Sequence, residues 1–219
     1  MKEKQLRESL FKISHEIKNP IAVCKGYLDM FEEENTENYK KYIPIIKSEI
    51  NKTLNLLQDF SACKKIKIEE DILDITLLIE EITNNFKIMF DTQKIKFEYS
   101  QNEEEIYING DYNRLNQVLM NIIKNSIEAI DKTKKSYIKI NTKITNKKVK
   151  IYIEDNGIGI SKENLKRISE PFFTTKQNGT GLGVLLSKEI IEAHNGKLEY
   201  KSEENIGTTV IITLPLYES

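Results

Sequence analysis

Ser14-His15-Glu16-Ile17-Lys18-Asn19-Pro20 is the stretch around which the chain is organised. It holds one of only two histidines in 219 residues, and a carboxylate follows it directly. On a helix, Asn19 lies one turn further along the face of His15, at i,i+4. A neutral imidazole is a competent nucleophile near pH 7, because its ordinary pKa is about 6.5 and one ring nitrogen keeps a free lone pair. Glu16 can take the proton from the other nitrogen as attack proceeds. A bare His-Glu pair is ordinarily a solvated surface feature. Its meaning depends on what lies downstream, where the chain carries the parts of a nucleotide site.

The stretch sits inside a helical pattern. Leu6, Leu10, Ile13, Ile17, Cys24 and Leu28 recur in threes and fours, apart from the step across Pro20, which takes a seam position. After a polar break at Glu33-Glu34-Asn35-Thr36, a second run of Tyr39, Ile43, Ile46, Ile50, Thr53, Leu57 and Phe60 keeps the spacing. Two such helices form an antiparallel hairpin, and one hairpin cannot enclose both apolar stripes. Pairing of two copies as a homodimeric four-helix bundle is the economical solution. Pro20 and Pro44 fall inside the two patterns, where each removes a backbone hydrogen bond, and a kink is expected at each.

Composition narrows the classes. Lys and Arg total 33 against 34 Asp and Glu, so nothing advertises nucleic acid or an anionic membrane as partner. Cys24 and Cys63 are the only cysteines, too few for a disulfide framework or a zinc cluster, and both fall in helix-like segments. No apolar run approaches the roughly 20 residues of a membrane span. The expectation is a cytoplasmic location, alone or as the cytoplasmic part of a longer membrane-bound sensor.

From Lys64 to Asp71 the periodicity lapses into a charged linker, which divides the chain into a hairpin at 1–66 and a second domain at 67–219. The second part alternates strands and helices. Strands are expected near Ile72–Ile75, Ile95–Tyr99, Ile106–Ile108, Tyr137–Ile144, Val149–Glu154, Leu198–Lys201 and Thr208–Leu214, with a turn centred on Asn146. Helices are expected at Leu77–Phe90, Tyr112–Ile130, Lys162–Ile168 and Val184–Ala193, the last stopped by Asn195-Gly196. The fold class is α+β, a sandwich with helices on one side of a mixed sheet. The clusters Glu103-Glu104-Glu105 and Lys147-Lys148 read as solvated loops, and His194, at a helix end, as structural.

Four stretches of this second part carry chemistry. Asn121 and Asn125 are an i,i+4 pair on the longest helix, and a buried amide oxygen there suits a hard cation such as Mg²⁺, though surface amides would show the same spacing. Glu154-Asp155-Asn156-Gly157-Ile158-Gly159 ends a strand, where Asp155 can accept from an exocyclic amine and the two glycines let backbone approach a flat ring. Glu170 to Asn178, with Phe172, Phe173, Thr174, Thr175 and Lys176, reads as a lid. Gly179-Thr180-Gly181-Leu182-Gly183 leads into a helix, and its bare N–H groups make an anion site for phosphates.

In this order and spacing the motifs resemble those of the sensor histidine kinases of two-component systems, over nearly the whole length. Ser14–Pro20 is similar to the H box, Asn121–Ala129 to the N box, Asp155–Gly159 to the G1 box, Pro171–Lys176 to the F box and Gly179–Gly183 to the G2 box, the last two most like nitrogen-regulation and sporulation-type kinases. The resemblance implies a dimerisation and phosphoacceptor hairpin followed by an ATP-binding domain of the kind shared with topoisomerase, heat-shock and mismatch-repair ATPases. It implies that His15 is the phosphoacceptor, Glu16 its base and Asn19 the residue that positions water for phosphatase action. Asn125 would bind Mg²⁺, Asp155 would read adenine with Thr208 behind it, and Lys176 would contact phosphate. Asn121, Gly157, Gly159, Thr175, Gly179, Thr180, Gly181, Leu182 and Gly183 complete the expected ATP site. One departure is Ser126, where alanine commonly follows the N-box asparagine. The implied activity is autophosphorylation from ATP and transfer to an aspartate of a separate response regulator. The alternatives are a clamp ATPase, for which Glu128 is the available acid, or a serine-kinase relative on the same fold.

Overall fold

The computed structural model describes residues 2–30, 36–62, 66–101, 105–131, 133–176 and 179–218. Cys63, Lys64, Glu33, Glu34, Asn35, Glu103, Glu104, Gln177 and Asn178 lie outside the described residues, as do the side chains of Leu6, Leu10, Ile13 and Phe60. The chain divides into two compact units, residues 1–64 with 171–182, and residues 65–170 with 183–219.

The first unit is built on two long helices, α1 (Lys2–Asp29) and α2 (Thr36–Ala62). Both run through their prolines, so Pro20 and Pro44 each cost a hydrogen bond without ending the helix. Contact between the helices is made at Cys24, whose thiol points to the Ile46 carbonyl at 3.6 Å, and at Tyr27 and Tyr42, whose ring centroids are 5.1 Å apart. Cys24 and Ile46 are both residues of the expected seams. Tyr42 is buried at 9% exposure while its neighbour Ile43, the expected seam residue, is 42% exposed. Ile21, Val23, Leu28, Ile50, Leu54 and Leu57 are also exposed, which leaves an apolar stripe along the hairpin.

The second unit is an α/β sandwich. Its elements are β1 (Asp71–Asp74), α3 (Ile75–Gln93), β2 (Ile95–Gln101), β3 (Tyr107–Gly110), α4 (Tyr112–Ala129), β4 (Ser136–Thr145), β5 (Lys148–Asp155), α5 (Lys162–Leu165), α6 (Gly183–Ala193), β6 (Lys197–Glu203) and β7 (Gly207–Pro215). Each expected strand is present, and α5 is shorter than expected because the chain turns after Leu165. Five strands form one mixed sheet in the order β2-β4-β5-β7-β6, parallel only at β2-β4, and β1 and β3 form a separate antiparallel pair. Asp74 and Asp111 start α3 and α4 by accepting the N–H groups of Thr76 and Arg114. Lys94 ends α3 in the left-handed conformation.

Period-2 alternation decides which sheet face is covered. Ile138, Ile140, Ile151, Ile153, Val210 and Ile212 share one face by register and are buried. Lys139, Asn141 and Lys143, the alternate residues of β4, are exposed. The three long helices supply the other layer with Ile79, Ile82, Leu115, Ile122, Ile123, Ile190 and Ile191, all buried.

The β4–β5 hairpin turns through two residues with positive φ, Asn146 at 51° and Lys147 at 59°. Such a type I′ turn asks for left-handed backbone at both positions, which asparagine tolerates and lysine does not. The Lys147–Glu218 ion pair at 3.1 Å is largely exposed and contributes little. Lys147→Gly should therefore stabilise the protein by about 1 kcal/mol, read from urea denaturation. A midpoint that stays put or falls would contradict this account of the turn.

Candidate functional site

Two groups of expected site residues come together in the second unit, one on α4 and α6 and one at the end of β5. Asn121 and Asn125 face the same way on α4, and the Asn125 amide donates to Asn121 Oδ1 at 3.4 Å. Asn121 in turn donates from Nδ2 to Ser187 Oγ on α6 at 2.9 Å. A Cβ on Gly183, the first residue of α6, would lie 2.6 Å from Asn121 Oδ1. Asn121 thus ties the two helices, and Gly183 is glycine because that amide fills its side-chain space. Because the Asn125 nitrogen points to Asn121, its amide oxygen is the atom turned away from that partner and suited to a hard cation. Ser187 was not singled out in the sequence, since a serine within an amphipathic helix carries no motif.

Asp155 ends β5 opposite Thr208 of β7 and is 4% exposed. Its Oδ1 accepts the Gly157 N–H at 3.0 Å. Burial pushes the carboxyl above its ordinary range, while the Gly157 N–H, the Ser126 hydroxyl and the Thr208 N–H pull the other way. Ser126, read in the sequence as a small replacement for alanine, is therefore turned toward Asp155 from the buried face of α4. Thr208 Oγ1 lies 2.8 Å from Ser202 Oγ, and Ser202 also accepts the Ile160 N–H at 2.8 Å. Asn156 accepts the Tyr137 N–H at 2.8 Å and donates to the Lys135 carbonyl at 2.8 Å, stitching the start of β4 to the end of β5.

The glycines after Asp155 have a structural reason within the fold itself. A Cβ on Gly157 would stand 2.4 Å from the Ala129 carbonyl at the end of α4, and one on Gly159, at φ 65°, 2.0 Å from the Glu203 carbonyl. Both are needed because protein backbone passes close by, and the Ile158 N–H donates to Ala129 O at 2.8 Å. Gly157→Ala must move α4 or the strand end.

The remaining expected ATP-site and phosphoacceptor residues belong to the other unit. The Phe172 N–H donates to Gly181 O at 3.0 Å, and both residues have positive φ, which closes 172–181 into a loop. Inside it the Lys176 N–H donates to Thr174 Oγ1 at 3.0 Å, and the Gly179 N–H to Lys176 O at 3.2 Å. Thr175 and Lys176 are exposed, Thr180 and Gly181 half-buried, and Leu182 buried. In α1, Asn19 is exposed, and for His15 and Glu16 the structure describes the helical backbone and not the side chains. Glu128 is exposed and lines a cleft of about 540 Å³ that also involves Phe86 and Met89 of α3 and Lys124 of α4.

Because burial raises the folded-state pKa of Asp155, the stability this group contributes is complete below its unfolded pKa and is lost as pH rises through the folded value. Asp155→Asn mimics the protonated carboxyl. It should melt higher than the wild type at pH 7, with the gap closing as pH falls toward about 4. A melting gap independent of pH, or a variant less stable at pH 7, would contradict the burial argument.

Residues 5–69 match the family model described as the His Kinase A (phospho-acceptor) domain, and residues 110–218 the model described as the histidine kinase-, DNA gyrase B- and HSP90-like ATPase. Sporulation kinase B of Bacillus subtilis (strain 168) is 31% identical over 207 residues, covering 93% of this chain and 48% of its own length. The signal transduction histidine-protein kinase AtoS of Escherichia coli (strain K12) is 32% identical over 216 residues, covering 96% of this chain and 35% of its own. The chain thus spans about half the length, or less, of these curated relatives. Among solved structures, the histidine kinase ThkA in complex with the response regulator protein TrrA superposes with a TM-score of 0.80 at 29% identity, covering 99% of this chain and 63% of that one. The nucleotide-free catalytic domain of ThkA gives a TM-score of 0.62 at 33% identity over 67% of this chain and 95% of its own. With the helical hairpin and the ATPase-type sandwich in this order, the chain belongs to the two-component sensor histidine kinases and represents their catalytic core.

Proposed function

We propose that this chain is an ATP-dependent protein histidine kinase that phosphorylates its own His15 and passes the phosphoryl group to an aspartate of a separate response regulator. What carries the reading is the presence in one chain of a helix bearing the His15-Glu16 stretch and a sandwich whose strand β5 ends in buried Asp155. The ThkA structure, which holds the response regulator TrrA, supports the choice of partner class. The working division is a phosphoacceptor hairpin at 1–66 and a catalytic domain at 67–219, in a cytoplasmic setting.

In this reading Asp155 accepts from the adenine amine, with Thr208 and Ser126 beside it. Gly157 and Gly159 shape the strand end, and Asn121 holds Asn125. The Lys176 ammonium and Thr175 meet phosphate oxygens, together with the N–H groups of Gly179, Thr180, Gly181, Leu182 and Gly183. Mg²⁺, when bound, neutralises phosphate charge and prefers oxygen ligands. Asn125 would offer it an amide oxygen. Among the described residues no group of three His, Cys, Asp or Glu could hold a metal, so such an ion would take its other ligands from phosphate and water.

The chemistry is an in-line displacement. A ring nitrogen of His15 forms a bond to the γ-phosphorus, the bond from that phosphorus to the bridging oxygen breaks, and ADP leaves with the electron pair. The proton on the other ring nitrogen goes to Glu16. Asn19 has no acid-base capacity, so its role is to orient a water on the regulator's acyl phosphate, a phosphatase activity on the same helix face.

Labelling with γ-labelled ATP tests the reading. The wild type should take up acid-labile, base-stable label, and His15→Ala should take up none while still binding ADP. Label undiminished in that variant would sink the assignment, as would free phosphate with no labelled protein. Glu16→Gln should slow labelling by about 10²-fold or more, whereas Asn19→Ala should spare labelling and slow removal of phosphate from the regulator. Equal losses in both reactions for both variants would show that the two roles are not separate.

The uncovered stripe of Ile21, Leu28, Ile43, Ile50, Leu54 and Leu57 supports a homodimer through the hairpin. Leu54→Lys with Leu57→Lys should convert the protein to a monomer in sedimentation without loss of ADP binding. A variant that stays dimeric would place the interface elsewhere.

A further inference from the structure

The segment that enters the second unit is tied down before its first strand begins. The backbone N–H of Glu69 donates to Asp111 Oδ2 at 3.0 Å, across 42 residues of sequence. The other oxygen of the same carboxylate, Oδ1, accepts the Arg114 N–H at 3.1 Å and caps α4. Asp111 is itself held from behind. Its own N–H donates to His194 Nε2 at 2.9 Å, and His194 Nδ1 lies 2.7 Å from the Ile190 carbonyl. These partners assign the neutral tautomer, with the proton on Nδ1 donating to Ile190 and Nε2 accepting. His194 is 1% exposed, so the imidazole is a fixed brace between the end of α6 and the start of α4. Burial raises the Asp111 carboxyl, but the N–H groups of Glu69, Arg114 and Asn113 outweigh it and hold the group below the ordinary carboxylate range.

A helix N-cap needs only one acceptor oxygen, and serine or threonine would supply it. Asp111 brings a second oxygen, and that oxygen is spent on the inter-domain segment. We propose that Asp111 is a positioning residue that clamps Glu69 to the nucleotide-binding domain, so that the chain entering this domain is fixed from Glu69 onward. The clamp deepens the kinase reading and rests on it. If the nucleotide must be carried to His15, a fixed point of entry into the nucleotide-binding domain directs its delivery. Asp71 is already paired with Gly110 in β1, so the charged linker expected up to Asp71 ends earlier than its composition suggests. Loss of the clamp would leave the nucleotide site intact and make the delivery less directed, and reactions of this kind are sensitive to misplacement on the scale of an ångström.

Two variants of the full chain separate the clamp from the cap. Asp111→Asn keeps an acceptor for the Arg114 N–H and turns a donor toward Glu69. Asp111→Ser keeps the cap and is too short to reach Glu69. In both, amide hydrogen exchange followed by NMR should show the Glu69 N–H exchanging about ten-fold faster or more. ADP affinity should stay within about two-fold, and the autophosphorylation turnover should fall about five-fold or more at saturating ATP. Unchanged exchange at Glu69 would overturn the clamp, and so would full turnover despite faster exchange, or a fall in turnover matched by the fall in ADP affinity. A wild type that binds ADP and takes no label would overturn the kinase reading instead, with the exchange at Glu69 still deciding whether the clamp exists.

Discussion

The sandwich depends on one close approach of backbone to backbone, where the chain leaving β5 passes the last turn of α4. The Ile158 N–H meets the Ala129 carbonyl at 2.8 Å, and Gly157 leaves no room for a side chain between them. An unpaired carbonyl at a buried helix end costs of the order of 1–3 kcal/mol, so this bond both closes α4 and pins the strand end to it. Two consequences follow for the site. Ser126, one turn before the end of α4, is brought against Asp155, and Asp155 is buried where its carboxyl is pushed upward. The strain-prone glycines are thus part of the scaffold that presents the carboxylate.

A second layer of constraint runs through polar groups that join the helices to one another. Asn121 to Ser187 and His194 to Asp111 are both bonds between α4 and α6 or the residues that flank them, one near the start of α6 and one beyond its end. Each uses a buried or half-buried side chain whose partners fix its orientation, and a missing partner would leave a buried donor or acceptor unpaired.

The hairpin obeys a different physics. Among the described residues its helices meet at Cys24 with Ile46 and at Tyr27 with Tyr42, while Ile21, Leu28, Ile43, Ile50, Leu54 and Leu57 stay exposed. That supports a second copy as the missing half of its core.

Much of this was legible in the residues alone. The change from heptad spacing to period-2 alternation separated hairpin from sandwich, and the order of the five motif stretches pointed to the family, because helix and strand periods are local properties that sequence displays directly. The strands and long helices fell where the alternation put them. What local pattern could not display was the partner of each polar group. Ser126 read as a near-neutral substitution, and Asp111 and Ser187 drew no remark, since hydrogen bonds across 42, 66 or 83 residues leave no periodic trace. On α2 the spacing could not say that Tyr42, between the expected seam residues, is buried against the neighbouring helix. Sequence by itself determined the elements, their order and the family. Tertiary structure decided why Gly157 and Gly159 must be glycine, which way Asn121 and His194 turn, and where the inter-domain segment ends, because each of these depends on atoms brought close only when the sheet and helices have packed.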